Sequence, residues 1–241
     1  MTRGRTSNKL DDFYARDLTD ATFADENCLD NFVTVPQDTS TLEKILECSK
    51  REFLQNGFKN ASLRNIALEA GLTTGAIYGY FKNKNAIFEM LVDPVCEKIE
   101  EIFSSISQNY YREDGVTSEI NTQKSVEELR YIYRFVYQNF DEFRLLLCCA
   151  EGSSREDFAH SIVDYEVAHT VAYLEQMKKQ KELDFQIDKT IIHIISDSYV
   201  NALLEPVRHN MDIETAMKNV ELLGRFYTAG WEYLLKYITN G

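Results

Sequence analysis

Residues 62–84 read SLRNIALEAGLTTGAIYGYFKNK, the pattern of two short helices joined by a glycine turn. Ala67 is small where a second helix must cross close to the first. Gly71 can adopt the left-handed conformation that a residue with a Cβ resists. Ile77 has the spacing of a core residue, which leaves its polar neighbours on the outer face. A helix presented in this way fits the major groove of DNA, so the stretch predicts a DNA-binding helix-turn-helix.

With its flanks, the segment resembles the N-terminal domain of the TetR family of bacterial transcriptional regulators. The resemblance spans about 50 residues from Ile45 to Leu91, and its most specific part is Tyr-x-Tyr-Phe-Lys-x-Lys over 78–84. Two positions depart from the family pattern: Tyr80 stands where histidine is common, and Gly79 stands where a bulky residue is common. The resemblance implies an all-α fold, with a three-helix helix-turn-helix domain followed by a helical domain for ligand binding and dimerisation.

Length and composition are those of a globular, mostly helical protein. The 241 residues are 44% hydrophobic, with only three prolines and ten glycines. No apolar run approaches the roughly 20 residues of a bilayer-spanning helix, and acidic residues rather than an apolar segment follow the N-terminus. We therefore expect a cytoplasmic protein with no membrane partner. The five cysteines are scattered without metal-ligand spacing, which predicts free thiols, no metal site and no cofactor.

The net charge of −13 is unusual for a DNA-binding protein. Whether the chain can bind DNA therefore depends on how the charge is distributed along it. Residues 41–93 carry seven lysines and arginines against six acidic residues, and the remaining acidity lies before and after them. Salt screens exposed charges beyond about 8–10 Å, so attraction to phosphate depends on the local balance. The near-neutral segment is compatible with DNA binding, with the acidic remainder turned away from the duplex.

Three regions follow from composition and periodicity. Residues 1–39 form an acidic extension that we expect to be weakly ordered. Alternatively, its basic tip could reach a minor groove, or its apolar residues could dock on the rest of the chain. Residues 40–93 form the helix-turn-helix domain, and residues 94–241 form the helical ligand-binding and dimerisation domain. Pro94 between them predicts a kink or restart rather than a linker.

Helical periodicity and capping residues place the individual helices. The first runs to about Asn56 and is ended by Gly57, and the recognition helix runs to Tyr80. Further helices are predicted at 95–110, 124–149, 153–181, 188–209 and 212–238. The predicted caps are Ser40 or Thr41, Ser62, Thr73 or Thr74, Asn83, Ser125, Ser153 or Ser154, Asp188 and Asp212.

Nine residues are the predicted DNA contacts. Thr73 and Thr74 start the recognition helix, where free amides favour a phosphate and a threonine methyl can meet a thymine methyl. Gly75 lets the backbone approach closely, and the tyrosines and lysines after it can bond phosphate oxygens. Alternatively, Tyr80 could be a core residue, and Lys84 could pair with a neighbouring carboxylate. The full set is Ser62, Arg64, Thr73, Thr74, Gly75, Tyr78, Tyr80, Lys82 and Lys84.

The resemblance also implies a small-molecule pocket within the C-terminal helices and a homodimer formed by the last two. The aromatic stripe along 124–149 is a candidate pocket wall, although such stripes are also typical of helical cores. The pocket candidates are Tyr133, Tyr137, Phe140, Cys148, His169 and His193. Glu151, Asp164 and Glu166 are expected to be solvated, although a cationic ligand would need one of them. The dimer candidates, from apolar faces too large for lone surface helices, are Tyr199, Leu203, Phe226, Tyr227, Trp231 and Leu234.

The adjacent thiols of Cys148 and Cys149 allow two interpretations. They could sense an oxidant or a thiophilic metal, or they could be small buried residues that continue the run Leu145–Leu147. No basic residue lies closer in sequence than Arg144 to lower the pKa of either thiol, which favours the second interpretation.

These features together predict a transcriptional regulator, not an enzyme. Its partners would be double-stranded DNA with a palindromic operator, a small molecule and a second copy of the chain. A repressor released from its operator by the small molecule is the leading hypothesis. A ligand-independent architectural or activator protein is one alternative. A helical enzyme with a DNA-binding head is the other, although no nucleophile motif, metal spacing or phosphate loop is present.

Overall fold

The computed structural model describes residues 39–112, 122–180 and 182–240, apart from 183 and 187. Within these ranges the chain is helical and contains no strand, which confirms the predicted all-α fold. The predicted N-terminal extension lies outside the described residues except for its last position. In chain order the helices are α1 (Thr39–Asn60), α2 (Leu63–Ala70), α3 (Thr74–Tyr80), α4 (Lys84–Arg112), α5 (Thr122–Gln138), α6 (Phe140–Cys148), α7 (Phe158–Gln180), α8 (Lys189–Arg208) and α9 (Ile213–Asn240).

Local sequence explains where the first helices begin and end. Gly57 has a φ of 70°, which interrupts α1 at the predicted position, because glycine adopts this conformation without a Cβ clash. Ser62 caps α2, as its Oγ accepts a hydrogen bond from the Asn65 amide at 3.5 Å. Asn83 caps α4 in the same way, through the Ala86 amide at 2.8 Å.

Helix α4 runs through Pro94 without ending, so the predicted alternative of a restart is wrong, and the alternative of a kink stays a prediction. Pro94 is exposed, so water can reach the carbonyl that its missing amide leaves without a partner. The predicted boundary between residues 93 and 94 therefore falls inside a helix. A single apolar core joins α1–α4 to α6, with Phe53, Phe88 and Leu145 fully buried in it. The division into a DNA-binding domain and a ligand-binding domain stays a prediction.

The prediction of one helix over 124–149 is wrong. The chain breaks at Asn139, whose ψ of 41° is not helical and whose side-chain amide donates to the Phe135 carbonyl at 2.9 Å. This local bond competes with the regular helical pattern, as asparagine side chains often do. Ser125 lies inside α5 rather than at its start and does not cap it.

The caps of the last helices are partly as predicted. Turns follow α6 and delay α7 to Phe158, so neither Ser153 nor Ser154 caps it. Asp188 caps α8 by accepting from the Thr190 amide at 2.9 Å, which confirms the prediction. Asp212 caps α9 through the amide and the hydroxyl of the residue three positions later.

Candidate functional site

The turn between α2 and α3 has the geometry that the sequence predicts. Gly71 has a φ of 71° and a ψ of 29°, the left-handed conformation, and the chain reverses there. Thr73 then caps α3: its Oγ1 accepts a hydrogen bond from the Ala76 amide at 3.1 Å. Ile77 is completely buried, and Ala67 is nearly so, which holds α3 against α2. The buried side of α3 is thus fixed, and its opposite side faces outward.

The outer surface of α3 is uncovered. Tyr78 is 55% exposed, and Gly75 and Gly79 are exposed beside it. Thr74 is half-buried at the start of the helix. Tyr80 is also half-buried and packs partly against the apolar core, so its ring serves the fold as well as the surface. Short and aromatic side chains on a projecting helix can contact base edges and phosphates.

Lys84 lies where its ammonium serves the fold. Its Nζ donates to the carbonyls of Phe58 at 2.5 Å, Lys59 at 3.2 Å and Ala61 at 3.0 Å. The same atom lies 4.6 Å from the centroid of the Phe58 ring. Burial lowers the pKa of Lys84, and the three carbonyls at and just after the end of α1 replace the lost water. Neither phosphate contact nor the predicted alternative of a carboxylate partner describes this arrangement.

The remaining basic side chains of this unit divide into two groups. Arg51 pairs with Glu69 at 2.8 Å, and Lys59 pairs with Glu151 at 2.5 Å. Lys50 pairs with a carboxylate of α6. Three exposed basic side chains of this unit, counted over residues 39–93, have no such partner among the described residues, namely Lys44, Arg64 and Lys82.

Lys44 is absent from the predicted DNA contacts. A Cβ added to Gly71 would lie 3.7 Å from Lys44 Nζ, so this ammonium is beside the turn that leads into α3. The turn brings together residues that are distant in sequence, which the local pattern does not reveal.

A cavity of about 330 Å³ lies among α4, α5, α7, α8 and α9. Its wall is mostly apolar and aromatic, with Phe103 from α4, Tyr199 from α8 and Trp231 from α9 among its residues. Tyr165 is held in the wall by a hydrogen bond between its hydroxyl and Ser107 Oγ at 2.6 Å. The volume is that of a small organic ligand.

Of the six predicted pocket residues, the structure places His169 in the wall of this cavity. The aromatic stripe of α5 faces α8 and α9 instead: the Tyr133 hydroxyl donates to the Leu203 carbonyl, and the Tyr137 hydroxyl donates to the Met211 carbonyl at 3.0 Å. The other three residues also lie elsewhere. The Phe140 ring contacts that of Tyr137 in a tilted arrangement with centroids 4.9 Å apart, and Cys148 and His193 are exposed.

Two titratable groups of the wall have shifted pKa values. Burial raises the pKa of Glu166, and a hydrogen bond from Thr170 at 3.5 Å only partly opposes the shift. Burial lowers the pKa of His169, so the imidazole is neutral at pH 7. Glu166 is therefore a member of the cavity wall and not the solvated residue that the sequence suggests. Glu151 and Asp164 do not line the cavity.

An apolar stripe runs along the outer face of α9. Leu222, Phe226, Tyr233 and Tyr237 are each about 70% exposed and share one helix face. Ile191 and Ile194 on α8 are exposed as well. Among the predicted dimer residues, Phe226 belongs to this stripe and Leu234 is half-buried. The other four, which line the cavity, are Tyr199, Leu203, Tyr227 and Trp231.

The Cys148–Cys149 pair lies where α6 meets α1. The Phe58 amide donates to the Cys149 carbonyl at 2.7 Å, so this turn is tied to the end of α1. Cys149 is buried, and burial raises the pKa of its thiol, which disfavours the reactive thiolate. In the described residues no set of three histidine, cysteine or carboxylate side chains could hold a metal ion. None of the described helices has the length and apolar character to span a bilayer.

Comparison with known proteins identifies the helix-turn-helix unit. Residues 45–91 match the family model described as bacterial regulatory proteins, tetR family. The HTH-type transcriptional regulator PksA of Bacillus subtilis (strain 168) is 24% identical over 173 residues, which cover 70% of this chain and 82% of PksA. The probable HTH-type transcriptional regulator YttP of the same organism is 32% identical over 113 residues, 41% of this chain and 50% of YttP.

A solved structure shares the fold. The TetR-like transcriptional regulator from Rhodococcus sp. RHA1 superposes with a TM-score of 0.52 over 82% of this chain and 100% of that chain. The sequences are 17% identical in this comparison, so the likeness concerns the fold alone.

Proposed function

Because residues 45–91 carry this DNA-binding domain and the chain is a transcriptional regulator of the TetR family, we propose that it is a cytoplasmic repressor. It binds a palindromic operator as a homodimer, with one α3 helix from each protomer in the major groove. A small molecule in the cavity among α4, α5, α7, α8 and α9 releases it from DNA. No catalytic step is part of this function.

The uncovered outer face of α3 is the observation that carries the proposal. Tyr78 projects from it, and the exposed Gly75 and Gly79 beside it carry no side chain that would keep the duplex away from the backbone. Lys44, Arg64 and Lys82 supply positive charge around the helix, and none of them is paired within the described residues. Paired basic residues would have to break an existing interaction first, whereas these three are available for phosphates.

One recognition helix reads only a few base pairs, so sequence specificity calls for two copies at a fixed spacing. The stripe of Leu222, Phe226, Tyr233 and Tyr237 supports dimerisation through α9. Four large apolar side chains on one helix face form a patch that a soluble monomer rarely leaves uncovered. Ile191 and Ile194 extend the apolar surface onto α8.

Release requires that the ligand prefer the conformation that cannot bind DNA. Helix α4 supports this coupling, because its first residue contacts the end of α1 while Phe103 lies in the cavity wall. A ligand that moves this wall therefore acts on the same rigid element that supports the helix-turn-helix. A preference of about tenfold for one conformation corresponds to about 1.4 kcal/mol of coupling.

The test is binding of the purified protein to DNA from upstream of its own gene, compared with scrambled DNA of equal length. We expect specific binding to an inverted repeat with two protomers per site, and a weaker preference for that site in the Tyr78→Ala variant. Tyr131→Ala is the matched control, since Tyr131 is 54% exposed but lies on α5, away from the DNA-binding unit. If no inverted repeat is selected from random DNA by the wild-type protein, the proposal is wrong.

A further inference from the structure

The cavity wall combines aromatic rings with a carboxylate in an arrangement that selects among ligand charges. The rings of Phe103 and Tyr165 stack at 5.4 Å with an angle of 26° between their planes. The His169 imidazole lies parallel to Tyr165, with centroids 6.3 Å apart. Trp231 and Tyr173 add two further aromatic rings to the wall. Aromatic faces carry partial negative charge and attract cations.

Glu166 is an acidic residue of this wall, and no basic side chain in the described residues pairs with it. Within the described part of the chain its carboxylate has no ion pair, and it accepts one hydrogen bond, from Thr170 at 3.5 Å. The second carboxylate in the wall, Glu128, lies one helical turn from Lys124 on α5, so a basic residue accompanies it. A buried carboxylate is costly unless a positive charge or strong donors compensate it.

We propose that the ligand of this cavity is an organic cation with an apolar or aromatic body, whose positive charge lies against Glu166. The inference rests on the proposed function, because it names the chemical class of the releasing molecule. The ionised carboxylate of Glu166 would repel an anion. A neutral ligand would leave this carboxylate without a counter-charge. A cation gains from both the carboxylate and the surrounding rings, and its apolar body fills the rest of the wall.

Proton release should accompany binding of such a cation. The raised pKa of Glu166 means that its carboxyl holds a proton over a wider pH range when the cavity is empty. A bound cation favours the ionised form, so affinity should rise with pH until Glu166 is ionised without ligand. The other titratable groups of the wall are Tyr165, His169 and Tyr173 on α7, Lys124 and Glu128 on α5, Tyr199 on α8 and Tyr227 on α9. The residues of α4 in the wall do not titrate.

Three probes with one skeleton test the charge preference: phenylpentyl-trimethylammonium, phenylpentanol and phenylpentanoate. The first keeps its charge at every pH, so any pH dependence belongs to the protein or to the protons it releases. Trp231 is the only tryptophan of the chain and lies in the wall, so its fluorescence reports occupancy directly. We expect the full-length protein to bind the ammonium more tightly than the alcohol by on the order of tenfold, and the carboxylate most weakly.

The Glu166→Gln variant should bind the ammonium and the alcohol with nearly equal affinity and lose the pH dependence. Glu175→Gln is the matched control, because Glu175 is exposed on the same helix, and it should keep the wild-type ranking. Equal binding of the three probes by the wild-type protein would overturn the proposal, as would a preference that survives in Glu166→Gln. If that variant does not fold, calorimetry of the wild-type protein decides, in buffers of different ionisation enthalpy and repeated from acidic to neutral pH. Ammonium binding without proton release at every pH of this series contradicts the role of Glu166.

These measurements use no DNA, so they separate the two proposals. Ammonium-selective binding by a protein that recognises no operator would refute the repressor function and leave the ligand class intact. Operator binding by a protein whose cavity prefers the alcohol or the carboxylate would refute the ligand class alone.

Discussion

Replacing Lys84 with methionine should destabilise the fold and leave the salt dependence of DNA binding unchanged. The ammonium donates to three carbonyls, those of Phe58, Lys59 and Ala61, over distances of 2.5–3.2 Å. Methionine preserves the length and the apolar part of the side chain but provides no donor. The three carbonyls at and just after the end of α1 then lose their charged donor.

The expected loss of stability follows from the hydrogen bonds that the Lys84 ammonium donates. One hydrogen bond to a charged group contributes about 1.5–3 kcal/mol, but these three share one ammonium that is only half-buried. We therefore expect a loss of about 2–3 kcal/mol in the free energy of unfolding. For a protein of this length such a loss lowers the melting temperature by about 5–10 °C.

Urea unfolding followed by circular dichroism measures the loss, with Lys82→Met as the matched control. Lys82 is exposed and unpaired within the described residues, so its replacement should change stability by less than about 0.5 kcal/mol. If Lys84→Met unfolds at the wild-type urea concentration and instead flattens the salt dependence of DNA binding, the structural role of Lys84 is refuted. Lys84 would then be a phosphate contact, as the sequence alone suggests.

Other expectations follow from single features of the structure. Gly71→Ala should cost about 1–2 kcal/mol of stability because φ is 71° there, whereas Gly79→Ala, where a Cβ meets nothing within 4 Å, should be neutral or stabilising; thermal melts compare the two. Lys82→Ala should weaken binding to all DNA sequences and reduce the slope of log affinity against log salt by about 0.9, and an unchanged slope in a salt titration would exclude a phosphate contact. Phe226→Asp should raise the dimer dissociation constant at least about 100-fold in sedimentation equilibrium, because each dimer would bury two charges in place of two rings. Tyr131→Asp is its control on an exposed site of α5, and equal behaviour of the two variants would place the dimer interface elsewhere.

The helix-turn-helix was readable from sequence because local chemistry determines it. Gly71 needs a left-handed conformation, and Ser62, Thr73 and Asn83 cap helices that begin immediately after them. Each of these effects acts within four residues along the chain. Sequence patterns describe such short distances well.

Features that depend on distant parts of the chain could not be read in this way. The partners of Lys84 are backbone carbonyls more than 20 positions earlier, and carbonyls leave no signature in a sequence. The aromatic stripe of α5 indicates a buried face, but periodicity does not distinguish a neighbouring helix from a cavity. Tyr133 donates to a carbonyl of α8 and Tyr137 to a carbonyl of the turn between α8 and α9, whereas Glu166 on α7 faces the cavity.

The length of α4 has a mechanical consequence. From Lys84 to Phe103 the helix advances about 28 Å at 1.5 Å per residue. A rotation of about 5° around the cavity end would therefore displace the other end, and the helix-turn-helix attached to it, by about 2.5 Å. In a symmetric pair the two displacements would add to about 5 Å, more than the roughly 3.4 Å between neighbouring base pairs. A small rotation of α4 at the cavity would then move the two recognition helices away from the spacing of successive major grooves.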